Sequence, residues 1–288
     1  MSGADRSHTT AVLKFGGEVV ADTPRLVAVL GEVAGLVRSG WRFVLCHGGN
    51  PQANALTSAV GLERTQVGGR RVTDAPTLKV MKQVLAGECS VDVVAAAMSA
   101  GLNAVGISGV SAGTVTAHKR PPKVMSGCGP DPVDFGFVGD IDRIESGLVR
   151  TLWDAGYTPV MNTLGLDPAA DPITGVRAVY NINADTVSSA LAAELRVDHL
   201  FLMTGVPGVL ADKDDPSTRI PRLTVSGARA AIGDGVVVGG MIPKIEEALK
   251  NLSLGVGAIH ILGAHAGAIA AEASEAGSAG TALLPDPG

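Results

Sequence analysis

Apolar residues along the chain fall into two alternating patterns, and the alternation predicts the fold class. Short apolar runs bounded by glycine or polar residues predict buried strands, whereas longer segments with apolar residues every three or four positions predict amphipathic helices. The first unit is a strand over 11–15, a helix over 24–40 that ends in glycine, and a second strand over 42–47. These three segments predict one βαβ unit.

The alternation continues along the rest of the chain. Further strands are predicted over 103–109, 158–162, 199–205 and 258–263, and further helices over roughly 75–100, 141–155, 185–195, 241–255 and 266–277. Such alternation predicts an α/β fold, a three-layer sandwich with a central, mostly parallel sheet and helices on both faces. Ligands of these sheets bind at the carboxyl ends of the strands. A segment rich in proline, glycine and aspartate, 163–178, is predicted to join two lobes.

Composition narrows the function classes. Aromatic residues make up only 3% of the chain and glycines number 38, which suits small aliphatic strands joined by tight turns. The net charge of -5 comes without a long basic block, so neither nucleic acid nor an anionic membrane is an expected partner. No apolar run reaches the roughly 18 residues of a membrane span, and the N-terminus lacks a signal-type segment. Cys46, Cys89 and Cys128 are too widely spaced for a disulfide framework or a zinc site, so we expect a reducing cytoplasm.

Two predicted strands end in paired glycines. The segment KFGG places Lys14 near the end of the first strand, and HGG follows the second strand at His47. Glycines at strand-to-helix turns direct backbone N–H groups at an anion, and the helix N-terminus adds a favourable field. Two such turns side by side predict a phosphate or carboxylate site, although either turn alone is explained by tight turning. His47, which closes a buried strand, is interpreted as a core residue rather than a catalytic base.

Two polar segments supply further candidates. In GGRRVTD, Arg70 and Arg71 have the guanidinium geometry for bidentate contact with a carboxylate, or form a solvated pair. In NINAD, Asn181, Asn183 and Asp185 precede an alanine-rich helix. Helix capping accounts for one of these three residues, which leaves the other two as side-chain donor and acceptor.

Two later segments are consistent with anionic ligands. Lys244 falls in the first turn of a predicted helix, where the positive helix end disfavours a cation, and an anionic ligand would remove this conflict. The loop 204–218 follows a buried strand and is rich in turn formers, as expected either of a nucleotide-enclosing loop or of a surface excursion. Its aspartates are interpreted as solvated charges rather than metal ligands: Asp212, Asp214 and Asp215.

Taken in order, these motifs resemble a known family over essentially the whole chain. The motifs are KFGG (14–17), HGG (47–49), GGRRVTD (68–74), DFGFVGDI (134–141), NINADTVSSALA (181–192), GVPGVL (205–210), GGMIPKI (239–245) and GTALLP (280–285). Together they resemble the N-acetylglutamate kinases of the amino-acid kinase family. RVTD and NINAD separate this branch from aspartate, glutamate and uridylate kinases better than KFGG does.

The resemblance implies the amino-acid kinase fold and a reaction. The γ-phosphoryl of ATP would pass to the side-chain carboxylate of N-acetyl-L-glutamate, giving an acyl phosphate in arginine biosynthesis. An N-terminal lobe, 1–175, would bind the acyl substrate and dimerise, and a C-terminal lobe, 176–288, would bind ATP. Mg²⁺ would be held mainly by the nucleotide phosphates, so no residue is assigned as a metal ligand. Because the acceptor carboxylate is ionised at neutral pH, catalysis reduces to alignment and charge neutralisation.

The resemblance also implies roles for individual residues. Lys14 and Lys244 would flank the transferring phosphoryl group, and Asp185 would position both lysines. Backbone N–H groups would line the phosphoryl and carboxylate sites at Gly16, Gly17, Gly48 and Gly49. Arg71 and Asn181 would bind the α-carboxylate and acetamido end of the substrate. The nucleotide would contact Thr204, Gly205, Val206, Gly208, Val209 and Leu210.

Two positions depart from the family pattern. Asn50 stands where a third glycine is usual, and Pro51 predicts extended backbone angles for it. The Asn50 side chain would lie close to the acyl end of the substrate. Gly205 stands where an aspartate is usual, on the nucleotide side. Both departures bear on substrate and nucleotide affinity more than on the class of reaction.

Two alternatives and one assembly expectation remain at this point. The nearest enzymatic alternative is a kinase for aminoadipate or for glutamate on an acidic carrier protein, and the net charge of -5 gives mild evidence against a basic docking face. A different class is a catalytically silent regulator, which the presence of Lys14, Asp185 and Lys244 disfavours. Only 13 residues precede Lys14, which leaves little room for the N-terminal helix of arginine-inhibited hexamers. We therefore expect an arginine-insensitive homodimer.

Overall fold

The computed structural model describes residues 8–125, 129–212, 214–237 and 241–287, so Cys128, Gly239 and Gly240 of the patterns above lie outside the described residues. The strands are β1 (Thr10–Phe15), β2 (Arg42–His47), β3 (Gln66–Val67), β4 (Arg70–Arg71), β5 (Ala104–Ser108), β6 (Val115–Lys119), β7 (Lys123–Val124), β8 (Pro132–Val133), β9 (Gly139–Ile144), β10 (Thr158–Asn162), β11 (Leu164–Ala170), β12 (Arg177–Asn181), β13 (His199–Thr204), β14 (Arg222–Thr224), β15 (Ala258–Gly263) and β16 (Thr281–Leu284). The helices are α1 (Gly17–Ala21), α2 (Thr23–Arg38), α3 (Asn50–Ala59), α4 (Ala75–Lys82), α5 (Ser90–Ser99), α6 (Gly147–Asp154), α7 (Ala184–Leu195), α8 (Val225–Gly233), α9 (Met241–Ser253) and α10 (Ala268–Ser274). A π-helical segment, Gln83–Cys89, joins α4 to α5, and 3-10 turns lie at Ser111–Gly113 and Pro216–Thr218.

Strands from both halves of the chain form the central sheet. Across the described residues its order is β14-β16-β15-β13-β1-β2-β10-β5, and every neighbouring pair is parallel except β15 and β16. The predicted α/β class with a mostly parallel sheet is therefore confirmed. The register places Phe15 opposite His47, so the two glycine turns leave the sheet at the same edge.

Side chains of β1 alternate between two hydrophobic layers. Leu13 packs in the layer that includes α2 and α5, while Val12 packs in the layer that includes α7 and α9. Both layers are buried, as expected for a parallel sheet covered by helices on each face. Side chains two residues apart on a strand share a face, so Lys14 leaves the sheet on the same side as Val12. That side carries α7 and, in its first turn, Asp185.

A second sheet was not predicted. Among the described residues its order is β12-β11-β6-β9, and it contains part of the segment 163–178 that was expected to be only a connection. The helix predicted over 141–155 was wrong at its start, since β9 runs to Ile144 and α6 begins at Gly147. Ile141 and Ile144 have helix-like spacing, but the register of β9 against β6 shifts locally and accommodates it.

The remaining predicted elements agree with the structure to within a few residues. The segment predicted as a helix over 75–100 consists of α4, the π-helical segment and α5. Within the described part of the chain, none of the helices combines the length and the apolar character needed to cross a membrane.

Candidate active site

A cavity of about 470 Å³ opens where β1, β2 and β12 end. Both glycine turns, both arginines of the RRVTD segment and the start of α7 line it. The cavity thus lies at the carboxyl edge of the central sheet, where the alternation of strands and helices predicted a site. Its lining residues include Lys14, Gly16, Gly17, Gly48, Gly49, Asn50, Arg70, Arg71, Asn181, Asp185 and Glu247.

The two glycine turns abut each other. A Cβ atom on Gly17 would lie 2.8 Å from the Cα of Gly49 and 2.8 Å from Cδ of Pro51, so the approach requires glycine. Gly48 N–H donates to the Phe15 carbonyl at 3.0 Å, and Gln52 Nε2 donates to the Gly17 carbonyl at 2.8 Å. These bonds fix the N-termini of α1 and α3 side by side at the cavity. Their N–H groups and dipoles favour an anion at that point.

The Lys14 ammonium forms a direct ion pair with Asp185 at the cavity. Lys14 Nζ lies 2.7 Å from Asp185 Oδ1, and the lysine side chain is 13% exposed. Asn183 caps α7, because its side chain accepts hydrogen bonds from the N–H groups of Asp185 and Thr186. Of the three polar residues in NINAD, capping thus accounts for Asn183. Asn181 and Asp185 have their side chains at the cavity.

The two arginines of RRVTD differ in environment because they sit on opposite faces of β4. Arg70 is exposed, whereas Arg71 is only 8% exposed. Arg71 Nη2 donates to Asn54 Oδ1 at 2.5 Å and to Asn50 Oδ1 at 3.4 Å. Its Nε and Nη1 are buried without a hydrogen-bond partner among the described residues. Burial, together with the nearby charge of Arg64, lowers the pKa of Arg71.

Three motifs that are distant in sequence meet beside Arg71. Asn181 Nδ2 donates to Thr73 Oγ1 at 3.2 Å, and the Phe137 N–H donates to the Thr73 carbonyl at 2.7 Å. Asp74 caps α4 by accepting from the Thr77 N–H, and hydrogen bonds from Thr77 lower the pKa of Asp74. The segments RVTD, DFGFVG and NINAD therefore form one wall of the cavity.

Lys244 does not line the cavity in this structure. It is exposed in the first turn of α9, and within the described residues no ion pair holds it. Glu247, one turn further along α9, lines the cavity instead. Burial and the nearby charge of Asp185 raise the pKa of Glu247. The predicted partnership of Lys14 and Lys244 at one phosphoryl group therefore stays a prediction.

The predicted nucleotide residues run from Thr204, the last residue of β13, into the loop that follows, and they lie outside the cavity lining. Thr204 Oγ1 donates to the Val206 carbonyl at 2.9 Å, and the Val209 N–H donates to Thr281 Oγ1 at 2.8 Å. Gly208 has φ +155°, and a Cβ there would lie 2.6 Å from the Thr281 hydroxyl. Val209 is fully buried, so its side chain belongs to the core. The assignment of Thr204, Gly205, Val206, Gly208, Val209 and Leu210 to a nucleotide stays a prediction.

The two departures from the family pattern are accommodated. Asn50 is the first residue of α3, so it occupies a helical position rather than the extended one that Pro51 predicts. Its φ is not positive, and the conformational freedom of a glycine is not used. Gly205 directly follows β13, with open space where a Cβ would point. Neither substitution disturbs the backbone at its position.

His47 is a core residue, as expected. It is fully buried, its Nδ1 lies 3.2 Å from the Gly48 carbonyl oxygen, and its Nε2 has no partner among the described residues. Burial lowers the pKa of His47 to about 4, although the hydrogen bond to Gly48 opposes that shift. The imidazole is therefore neutral at pH 7.

Sequence reasoning missed two contributors to the site. Glu247 lies three residues after Lys244, and this helical spacing was the available signal that both share one side of α9. Asn54 lies four residues after Asn50, and the same periodicity places both amides on one side of α3. Neither spacing identifies a site residue by itself. For the asparagines, the position of β4, which brings Arg71 to them, is also needed.

Similar proteins give a consistent family assignment. The model of the amino acid kinase family matches residues 9–263. An acetylglutamate kinase from Sorangium cellulosum is 48% identical, with 99% of this chain and 99% of that protein covered. An acetylglutamate kinase from Anaeromyxobacter dehalogenans (strain 2CP-1) is 46% identical, with 96% of this chain and 99% of that protein covered.

Solved structures extend the likeness at the level of the fold. The carbamate kinase from Giardia lamblia bound to AMP-PNP superimposes with a TM-score of 0.69 at 18% identity, covering 97% of this chain and 99% of that one. The N-acetylglutamate synthase from Neisseria gonorrhoeae, complexed with coenzyme A and N-acetyl-glutamate, gives a TM-score of 0.76 at 23% identity. That match covers 97% of this chain and 60% of the synthase chain. With the family model matching most of its length, the chain belongs to the amino acid kinase family.

Proposed function

We propose that the protein is an acetylglutamate kinase, which transfers the γ-phosphoryl of ATP to the side-chain carboxylate of N-acetyl-L-glutamate. Near-full-length similarity to acetylglutamate kinases supports this assignment. The observation that carries it is a cavity in which a cation, Lys14, and two abutting glycine turns face a second, buried cation, Arg71. N-acetyl-L-glutamate has two carboxylates, and each of these two positions would bind one of them.

The reacting carboxylate would sit at the two glycine turns. It is ionised at neutral pH, so the protein needs no general base to activate it. Backbone N–H groups of Gly17 and Gly49 and the Lys14 ammonium would stabilise the negative charge that spreads over the transferring phosphoryl oxygens. Asp185 would hold Lys14 in place through their 2.7 Å ion pair. A bond would form between a carboxylate oxygen on Cδ of the acceptor and the γ-phosphorus as the bond between the γ-phosphorus and the β,γ-bridging oxygen breaks, leaving ADP.

The other end of the acceptor would bind at the wall built from RVTD and NINAD. Arg71 would take the α-carboxylate, because a guanidinium suits a planar carboxylate and no acidic side chain neutralises it within the described residues. Asn181 would contact the acetamido end. ATP would approach from the side of α9 and the loop after β13, with Mg²⁺ held mainly by its phosphates, and Lys244 would reach the phosphoryl group. With ATP as donor, the reaction belongs to the cytoplasm and to arginine biosynthesis.

A homodimer is proposed on the evidence of α5. Val91 is 63% exposed and Met98 is 58% exposed, seven residues apart on one face of the helix. The helix packs against β5, which is an edge strand of the central sheet. An apolar stripe beside a sheet edge suits a self-complementary contact between two copies. Light scattering should give twice the 29.1 kDa of one chain, and the variant Val91→Lys should be monomeric.

The reaction is tested by trapping the acyl phosphate as a hydroxamate in the presence of ATP and Mg²⁺. Three acceptors are compared in parallel: N-acetyl-L-glutamate, N-acetyl-L-aminoadipate and free L-glutamate. Strong preference for N-acetyl-L-glutamate supports the proposal, and preference for either of the others contradicts it. A protein that phosphorylates none of the three would favour a carrier-bound substrate or a silent homologue.

A further inference from the structure

Two asparagines on one turn of α3 hold the Arg71 guanidinium. Its Nη2 donates to Asn54 Oδ1 at 2.5 Å and to Asn50 Oδ1 at 3.4 Å. Residues four apart on a helix are neighbours on its surface, so both amides reach β4 from the same side. Asn50 lines the cavity, whereas Asn54 does not. Asn54 is therefore placed to act on a ligand in the cavity through Arg71 rather than by direct contact.

The two amides can orient the Arg71 guanidinium without neutralising its charge. An amide oxygen accepts a hydrogen bond from a guanidinium but carries no net charge, so it fixes the group and leaves its positive charge in place. A carboxylate of the protein at the same point would neutralise the arginine in advance. Arg71 is 8% exposed, and its Nε and Nη1 have no partner among the described residues. The guanidinium is thus held in one orientation with its charge uncompensated.

We infer that Asn54, assisted by Asn50, is a positioning residue that presets Arg71 for the acceptor carboxylate that does not react. This inference rests on the proposed function, in which Arg71 binds the α-carboxylate of N-acetyl-L-glutamate. An arginine fixed before the acceptor arrives loses less conformational freedom on binding, which favours affinity and selects for acceptors with that carboxylate. Asn54 determines specificity without touching the substrate.

The test compares two acceptors that differ only in the α-carboxylate. N-acetyl-L-glutamate has it, and γ-acetamidobutyrate lacks it while keeping the reacting carboxylate and the acetamido group. The ratio of their kcat/KM values measures how strongly the enzyme uses the α-carboxylate, and the fraction of active protein cancels from it. The variant Asn54→Ala should lower this ratio about tenfold, mostly through a higher KM for N-acetyl-L-glutamate. A merely structural role would lower kcat/KM for both acceptors equally.

Three further variants sharpen the comparison. Asn54→Gln keeps a neutral amide whose oxygen can accept from Arg71 Nη2, so it should recover most of the ratio lost in Asn54→Ala. Arg71→Gln should abolish the preference, because it removes the charge that the ratio reports. Asn103→Ala is the matched control, since Asn103 is an exposed amide whose Nδ2 donates to the Gly156 carbonyl away from the cavity. Its ratio should equal that of the wild type.

The outcomes separate the inference from the function on which it rests. A wild-type protein that does not phosphorylate N-acetyl-L-glutamate contradicts the proposed function. A wild-type protein that does, together with an unchanged ratio in Asn54→Ala, overturns the inference alone. An unchanged ratio in Arg71→Gln overturns the inference and also the assignment of Arg71 to the α-carboxylate, but not the reaction. Recovery in Asn54→Gln to within about threefold of the wild-type ratio supports it, also if Asn54→Ala proves inactive. A Gln variant no better than the Ala variant overturns it.

Discussion

Lys14 Nζ and Asp185 Oδ1 are 2.7 Å apart, although the two residues come from opposite halves of the chain. Lys14 lies near the carboxyl end of β1, and Asp185 occupies the first turn of α7. The carboxylate is favoured there by the positive helix end, and it fixes the direction of the ammonium. The pair joins the central sheet to the helix layer at the cavity.

Removal of the Lys14 charge is predicted to affect turnover rather than folding. The variant Lys14→Met keeps an unbranched side chain one atom shorter but loses the ammonium, so we expect kcat to fall on the order of 10²–10³-fold, as for other preorganised transition-state donors. Hydroxamate formation at saturating ATP and acceptor measures this effect. The melting temperature serves as the control and should change little, since a partly exposed ion pair contributes at most about 1 kcal/mol. Turnover near the wild-type value would rule out a role for Lys14 at the phosphoryl group.

Lys244 offers a stricter test of the proposed mechanism because it is exposed in this structure. If it reaches the phosphoryl group when ATP is bound, Lys244→Met should also lower kcat on the order of 10²–10³-fold. Lys250 lies on the same helix in its last turn and provides the matched control. Lys250→Met should turn over at the wild-type rate. A Lys244→Met variant as active as the Lys250→Met variant refutes the assignment.

The edge of the sheet at which the cavity lies could be predicted from the sequence. Two apolar runs that each end in paired glycines suffice, because parallel neighbours bring their carboxyl ends together. The pairing of Lys14 with Asp185 needed more, namely that β1 is central and that Lys14 shares the parity of Val12, which faces α7. The sequence shows that Lys14 and Val12 share a face of β1. Which helix covers that face is known only once the order of the strands is known.

The second sheet and the α9 side of the cavity could not be predicted. The register of β9 against β6 shifts locally, so its apolar residues Ile141 and Ile144 imitate a helical spacing. Glu247 reaches the cavity because α9 packs on α7, a tertiary contact that no local pattern specifies. Periodicity predicts which face of an element is buried, but it does not predict which distant element covers that face.

The contact between the glycine turns predicts a large effect from one methyl group. In Gly17→Ala the new Cβ would lie 2.6 Å from Gln52 Oε1 and 2.8 Å from the Gly49 Cα, so the turns must separate. We expect kcat/KM to fall roughly 10²-fold, the cost of misplacing a reacting group by about 1 Å. Stability should fall by about 1–3 kcal/mol, as for other overpacked sites.

Gly31→Ala is the matched control for that substitution. Gly31 lies within α2, and a Cβ there meets nothing within 4 Å. Alanine is a better helix former than glycine, so stability should rise by about 0.5–1 kcal/mol with kcat/KM unchanged. Equal losses of activity in both variants would show that the effect at Gly17 is not specific to the turn.

Burial of His47 predicts a loss of stability in mild acid. Its pKa is lowered by burial from the ordinary value of 6.5 to about 4, so the unfolded chain binds a proton more readily than the folded one. The stabilisation from a neutral His47 is therefore fully present above about pH 6.5 and is lost as the pH falls toward about 4. At about 1.4 kcal/mol per pH unit, His47 alone should lower the free energy of unfolding by about 2 kcal/mol between pH 6.5 and pH 5.

Urea unfolding of the wild type and of His47→Asn, followed by the fluorescence of Trp41 and Trp153, tests this difference. Other groups titrate in the same range: His199, whose pKa burial also lowers to about 4, is unchanged in both proteins. Its contribution cancels when the two pH dependences are subtracted, and the remainder belongs to residue 47. The variant should lose about 2 kcal/mol less than the wild type between pH 6.5 and pH 5. If the free energy of unfolding depended on pH equally in both proteins, His47 would be taking up its proton in the folded state. The description of His47 as a buried, neutral imidazole would then be wrong.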